Sequence, residues 1–271
     1  MKFWHVDAFT NNPFGGNPAL VFISDELLSD ELMQSIAGEM NFSETAFIIL
    51  CEGKKPLLRW FTPTFEEDLC GHATLASAHI YLTEIYPELQ EVVFDTKYEG
   101  FLKVMKNSSS YTMDFPLRLG KKIDVDNISD SILAALSERK PIEAYQARDL
   151  MLVYEDEEII REMKPDFNVL LKHKSFIIVT AKSKKNYDFV SRLFCADDTI
   201  IEDPVSGSAH CTLFPYWSQR LRKNHLKAYQ ASKRGGDLIL DLVEERVHIT
   251  GQAITIMDGK MRMVDLEGEA C

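Results

Sequence analysis

Apolar and polar residues alternate in short runs along most of this chain, a period of two that predicts β-strands. In the first half the runs are Lys2–Phe9, Ala19–Ile23, Thr45–Leu50, Leu57–Phe61, Glu91–Asp95, Phe101–Met105 and Tyr111–Phe115. In the second half they are Asp149–Tyr154, Phe176–Ala181, Lys227–Ala231, Asp237–Val243, Arg246–Thr250, Ala253–Met257 and Lys260–Val264. Gly, Pro, Asn or Ser bounds most of them, and most connections are tight. That combination predicts antiparallel sheets rather than a doubly wound parallel one.

Helical periodicity is rarer. Ser29–Met40 carries Leu32, Ile36 and Met40 on one face, with Ser29 and Asp30 as candidate caps. Ile128–Leu136 and Phe167–Lys172 are weaker helical patterns. Ala73–Leu82 is small or apolar on nearly every face, the composition of a helix surrounded by protein. Ser208–Leu221 is similar near its start, although Pro215 should kink or interrupt it.

Those last two helices follow segments that look alike. Glu66-Glu67-Asp68-Leu69-Cys70-Gly71-His72-Ala73 and Glu202-Asp203-Pro204-Val205-Ser206-Gly207-Ser208-Ala209 each run from an acidic cluster through Gly, a polar residue and Ala into a small-residue helix. The two glycines are 207 − 71 = 136 positions apart, about half of the 271 residues. The chain therefore reads as two similar halves, each a set of short strands wrapped around a buried helix. A helix start offers free N–H groups and a positive dipole end. Two such starts facing a shared cleft would hold a small carboxylate from both sides. The boundary between the halves is expected in the polar stretch Pro116–Asp126.

Composition narrows the partners. The chain has 42 acidic against 30 basic residues, a formal net charge of −12. That argues against a general binder of nucleic acid or of anionic membranes, both of which need a basic face. No apolar run approaches the roughly 18 residues needed to span a bilayer, and the N-terminus lacks a signal-peptide core, so a cytoplasmic protein is expected. The five cysteines are scattered without a CxxC pair, and neither a disulfide framework nor a zinc ribbon is indicated. Only Cys70, beside Gly71-His72, has a suggestive setting.

Seven motifs occur in order: Asp7-Ala8-Phe9-Thr10; Asn12-Pro13-Phe14 running to Gly16-Asn17-Pro18-Ala19; Asn41-Phe42-Ser43-Glu44-Thr45-Ala46-Phe47; Arg59-Trp60-Phe61-Thr62-Pro63; Cys70-Gly71-His72-Ala73-Thr74; Asp203 to His210; and Gln230-Ala231-Ser232 with Arg234-Gly235-Gly236. Together they resemble the PhzF-like family, named for the phenazine-biosynthesis isomerase, over nearly the whole chain. The resemblance implies the diaminopimelate epimerase-like fold, α+β, with two similar domains, each an antiparallel β-barrel wrapped around a central helix. The domains would span residues 1–118 and 119–259, with residues 260–271 returning to complete the first. It implies a cofactor-independent isomerase or epimerase, without metal, acting on a small carboxylate-bearing metabolite in the interdomain cleft. A homodimer is carried as a further expectation.

The same resemblance places the catalytic glutamate on Glu44 and its companion histidine on His72. The acidic and hydroxyl partners fall on Asp203 and Ser208. Asn17, Gly71, Ala73, Gly207 and Arg234 would contact substrate. Each residue also has a plainer reading. Glu44 opens an apolar strand, where partial burial suits a general base, yet it could be an exposed loop carboxylate. His72, in a first helical turn, is expected to stay neutral. Asp203 and Ser208 could cap the helix, and Lys233-Arg234-Gly235-Gly236 could be a hairpin turn. A two-thiol racemase is disfavoured because no cysteine precedes Gly207 as Cys70 precedes Gly71. A Cys70–His72 dyad is also disfavoured, since side chains two apart rarely face each other. The alternative to an enzyme is a small-anion-binding protein with the same fold, which would need the anion cradle but no poised base.

Overall fold

The computed structural model describes residues 1–173, 176–195 and 200–262, with the backbone of 269–270. By internal contacts the chain divides at 114/115 and at 249/250, where the sequence suggested 118/119 and 259/260. The long strand Arg246–Lys260 carries the chain across the second division. Ala253–Met257 is thus part of one strand with Arg246–Thr250. Of the expected strand 260–264, residues 263–264 lie outside the described residues.

The N-terminal unit is a closed barrel of eight strands. Going round it, Lys2–Ala8 pairs with Asn17–Ser24, then follow Glu44–Ile49, Leu57–Phe61, Glu91–Thr96, Gly100–Asn107 and Ser110–Pro116. Arg246–Lys260 closes the circuit back to Lys2–Ala8. Two pairings are parallel: Asn17–Ser24 with Glu44–Ile49, and Leu57–Phe61 with Glu91–Thr96. These two depart from the otherwise antiparallel pattern for a simple reason. A helix separates each of those strand pairs, Asp30–Met40 in one case and Gly71–Ile80 in the other, and a helical crossover returns the chain in the same direction.

The second unit repeats that order. Glu143–Gln146 pairs antiparallel with Leu150–Val153, which pairs parallel with Ile177–Lys182. Phe189–Phe194 pairs antiparallel with Ile177–Lys182 and parallel with His225–Gln230. The helices Glu157–Glu162 and Phe167–His173 fill the first crossover, and Gly207–Leu221 the second. The strands Lys121–Ile123, Glu143–Gln146 and Phe189–Phe194 escape a reading by strict alternation. Phe189–Phe194 is buried at every position, Ser191 and Arg192 included, so its polar residues do not mark a solvent face.

A strand arginine secures an outer helix in each unit. Arg59 bonds Glu66 through Nε and Asp30 through Nη1, both at 2.6 Å, and Asp30 opens the helix Asp30–Met40. Arg192 grips both carboxylate oxygens of Glu202 at 2.7 and 2.9 Å, and its Nη1 donates to the carbonyls of Ile160 and Met163 at the end of Glu157–Glu162. Above Asn17–Ser24 and Glu44–Ile49, Met33, Ile36 and Ala37 of the outer helix pack with Phe22, Phe47 and Phe61. Each such fully buried Phe contributes about 1.5–3 kcal/mol.

The two inner helices are nearly enclosed. Every residue of Gly71–Ile80 except His79 is buried, as are Gly207–Phe214 and Trp217. Of the two outcomes expected at Pro215, interruption does not occur: Gly207–Leu221 runs through it. Proline has no N–H, so the Cys211 carbonyl four residues back loses its helical partner, and the N–H of Arg118 takes it at 3.0 Å.

Candidate active site

In the N-terminal unit a loop built on the Asp7 motif positions the first site residue. Asp7 Oδ2 accepts the Phe14 N–H at 2.8 Å, and Thr10 Oγ1 accepts that of Asn12 at 3.0 Å. Gly16 sits at φ 59°, where a Cβ would lie 2.1 Å from the Ala8 carbonyl oxygen, so only glycine makes the turn. Asn17 follows, fully buried at the start of its strand. Its Nδ2 lies 2.9 Å from Nδ1 of His72, and the Ser43 hydroxyl donates to its Oδ1 at 3.4 Å. In this orientation the Asn17 amide donates to Nδ1 and leaves the ring proton on Nε2.

That Nε2 lies 3.1 Å from Oε2 of Glu44, the first residue of its strand. Both atoms are buried, and among the described residues neither finds a well-directed hydrogen-bond partner. Burial alone would lower the His72 pKa, but the neighbouring Cys70 and Glu44 hold it well above the ordinary 6.5. Of these two neighbours, Cys70 has its own thiol pushed up by burial, which leaves the Glu44 carboxylate, 3.1 Å from Nε2, as the cause that acts at neutral pH. The expectation of a neutral ring set by the helix dipole is therefore corrected. A full carboxylate at 3.1 Å outweighs the partial charge of a helix end. Adding a second proton, at Nδ1, requires the Asn17 amide to turn its carbonyl toward the ring.

Cys70 is the N-cap of Gly71–Ile80, in an extended conformation and without a side-chain capping bond. Its Sγ lies 3.5 Å from His72 Nδ1, so these two side chains do face each other, contrary to expectation. The extended cap residue swings its side chain back over the first turn, which a continuous helix would not allow. Burial pushes the thiol up to about 11, against the pull of His72, so the contact does not make a thiolate at neutral pH. Ligand atoms of Glu44, Cys70 and His72 all lie within 4.8 Å of one another. Glu44 meets the ring at Nε2 and Cys70 meets it at Nδ1.

The second unit gathers a different set around Gly207. Ser206, not Asp203 or Ser208, is the helix cap: its Oγ accepts the Ala209 N–H at 3.2 Å. Gln230 locks the approach to the helix by accepting from the Ser206 N–H at 2.9 Å and donating to the Asp203 carbonyl at 2.7 Å. Ser208 Oγ lies 3.1 Å from Ser206 Oγ and accepts from Arg148 Nη2 at 3.2 Å. Arg148 also bonds the buried Asp149 through Nε at 3.2 Å. Arg234 lies in a hairpin turn whose Ser232 donates to the Pro204 carbonyl at 2.7 Å, tying that turn to the segment before Gly207. His210 Nδ1 bonds the Ser206 carbonyl at 2.6 Å, and burial lowers its pKa to about 4.

The structure thus brings Asn17, Glu44 and His72 together beside Gly71 and Ala73, and sets Ser208 at the start of the Gly207 helix. Sequence reasoning missed Arg148 and Gln230 as partners of that helix start. A signal for Arg148 existed. Asn17 opens the strand beside its central helix, and the equivalent place in the second half is the Arg148-Asp149 pair ahead of Leu150–Val153.

Comparison with known proteins decides the family. The model of the phenazine biosynthesis-like (PhzC-PhzF) proteins matches residues 6–259. The chain belongs to the PhzF family of isomerases. It is 43% identical to an uncharacterized isomerase of Pseudomonas aeruginosa, over 97% of this chain and 99% of the relative. It is 41% identical to an uncharacterized isomerase of Halalkalibacterium halodurans, over 94% and 96%. A PhzF-family crystal structure from Enterococcus faecalis is 42% identical, covers 97% of this chain and 99% of its own, and superposes with a TM-score of 0.89. Among the described residues of this PhzF-family chain, no helix is long and apolar enough to cross a membrane.

Proposed function

We propose that this chain is a cofactor-independent isomerase that moves a proton between carbons of a small carboxylate-bearing metabolite. Glu44 is the general base and His72 its partner. One observation carries the reading: Glu44 Oε2 and His72 Nε2, both buried, face each other at 3.1 Å, and neither has a well-directed hydrogen-bond partner among the described residues. Two orphaned titratable atoms in contact are costly unless a substrate completes their bonding. In the reaction Glu44 takes a proton from a C–H acidified by a neighbouring carbonyl or imine. The bonding electrons move into the adjacent π-system, and the resulting carboxylic acid returns its proton to another carbon. His72 holds the Glu44 carboxylate in line and relays charge through Nε2.

The family resemblance assigns both helix starts to one substrate. On that reading Asp203, Ser208, Asn17, Arg234 and the backbone N–H groups of Gly71, Ala73 and Gly207 hold its carboxylate and developing oxyanion.

The contact of Cys70 with His72 raises a second reading, in which the thiol is the proton donor. A thiol pushed up to about 11 is poorly matched to that task near neutrality. Deuterium exchange separates the two. Candidate carboxylates incubated in deuterated water are followed by NMR for loss of C–H signal. Glu44→Gln should lower exchange about 10²- to 10⁴-fold while leaving ligand-induced chemical-shift changes in place. Exchange at the wild-type rate in Glu44→Gln removes Glu44 as the base.

A further inference from the structure

We infer that Arg148 is a positioning residue that fixes the Ser208 hydroxyl as a hydrogen-bond donor toward an oxygen anion of the substrate. The protons and lone pairs of two serines lead there. A hydroxyl has one proton and two lone pairs. Ser206 Oγ accepts the Ala209 N–H, and its only other hydrogen-bond contact among the described residues is Ser208 Oγ at 3.1 Å. Whichever hydroxyl donates to the other, one proton is left without an acceptor among the described residues: that of Ser206, in a residue 3% exposed, or that of Ser208, in the more open residue at 8%. A buried donor left without an acceptor is the expensive arrangement. The Ser206 proton therefore points at Ser208. Arg148 Nη2 donates to the same oxygen at 3.2 Å, which occupies its second lone pair. Ser208 is left as a donor only, its proton directed away from both neighbours.

Arg148 is itself held in place. Its Nε bonds Asp149 Oδ1 at 3.2 Å, and Asp149 is buried. A guanidinium cannot lose its proton to become an acceptor, so the polarity of the chain Asp149, Arg148, Ser208 runs one way. What Ser208 recognises is an acceptor, a carboxylate or enolate oxygen, and not an amine or an alcohol proton. Asn17 has the corresponding place in the other half, where it opens its strand and donates to Nδ1 of His72.

The substrate invoked here rests on the acid–base proposal above, and the position of the two serine protons is measurable without it. Neutron diffraction on deuterated crystals of the whole chain should show the Ser206 deuteron on the line to Ser208 Oγ and the Ser208 deuteron pointing off that line. A Ser208 deuteron lying on the line to Ser206 overturns the inference and leaves the Glu44 proposal untouched. Arg148→Met, paired with Asp149→Asn so that no buried carboxylate is stranded, should abolish the single outward position, whereas Arg148→Lys should keep it. In the exchange assay Ser208→Ala should cost about 10²-fold, as loss of one oxyanion donor does. Adding Arg148→Met/Asp149→Asn to Ser208→Ala should cost nothing more, because the arginine acts through the hydroxyl. Losses that multiply instead show that Arg148 acts independently of Ser208, and the inference falls. If Glu44→Gln exchanges like wild type while the deuterons lie as stated, the acid–base reading fails and the positioning of Ser208 stands.

Discussion

The two halves build the same frame and put different chemistry on it. Each runs a strand carrying an arginine, a short acidic bridge, a Gly-initiated buried helix and a parallel return strand. The fourth residue of each helix bonds back to the cap carbonyl: Thr74 Oγ1 to Cys70 at 2.5 Å and His210 Nδ1 to Ser206 at 2.6 Å. The second residue is where they part. His72 meets a carboxylate and is held charged more readily than a free imidazole. Ser208 meets a guanidinium and does not titrate near neutrality. On the proposed reading, one half moves a proton and the other orients. A repeated helix start thus supplies a place for chemistry, and the neighbouring strand start decides which chemistry it is.

The frame itself should show the biggest energetic change. Arg192 makes four hydrogen bonds, two to Glu202 and two to the carbonyls closing Glu157–Glu162. Its counterpart Arg59 shares its charge with Asp30, whose side chain is 60% exposed. Removing one member of a buried ion pair costs about 3–5 kcal/mol. Arg192→Met should therefore lose about 3–5 kcal/mol in urea unfolding at neutral pH, and Arg59→Met clearly less. Equal losses would mean that the two halves are anchored alike, and their difference would be confined to the site.

A more modest effect should follow pH. The folded pKa of His72 is raised above its ordinary 6.5. The stability it contributes is fully present below 6.5 and is lost as pH rises toward and through the folded value. A tenfold change in proton affinity between the folded and unfolded chain is worth about 1.4 kcal/mol. Wild type should thus lose stability on going upward from pH 6.5, and Glu44→Gln should flatten that dependence because the full charge beside His72 is gone. His210 bends the opposite way. Burial lowers its pKa to about 4, as it does that of His79. Both therefore gain stability as pH rises from about 4 through 6.5 and partly offset the His72 slope near pH 6.5, an offset that fades above it. If Glu44→Gln keeps the full slope, the carboxylate is not what raises His72.

Most of the frame was legible in the sequence, and the reasons for the exceptions are physical. The strand Leu57–Phe61 and the helix Asp30–Met40 with its Ser29 cap are observed where the alternation and the cap chemistry put them. Phe189–Phe194 was not visible because a strand buried on both faces has no polar period. The parallel pairs were missed because tight turns dominate the count of connections while helical crossovers set direction. At the site, Glu44 and His72 were legible as residues, but their contact was not. The opposite pull on His72 comes from a strand 28 positions away in sequence (72 − 44 = 28), which no local reading of a helix start includes. Arg148 stayed hidden for the same reason: its partner Ser208 is 60 positions away.

The weakest effect bears most directly on what separates the halves, because it transplants a feature of one into the other. Cys70 and Ser206 hold the same N-cap place, yet only Ser206 makes a side-chain capping bond. Cys70→Ser supplies the missing hydroxyl to the Gly71 helix. A good N-cap is worth about 0.5–2 kcal/mol, and replacing a buried thiol by a more polar hydroxyl takes some of that back. The net change in unfolding free energy should lie within about 1 kcal/mol of wild type. In the deuterium-exchange assay the rate should stay within about threefold, since a thiol pushed up to about 11 gives no proton readily at neutral pH. A loss of several orders of magnitude, with folding intact by thermal melt, would make Cys70 a participant in proton transfer. The two halves would then differ by a thiol as well as by an imidazole, and the division between a proton-moving half and an orienting half would have to be redrawn around the Cys70–His72 contact.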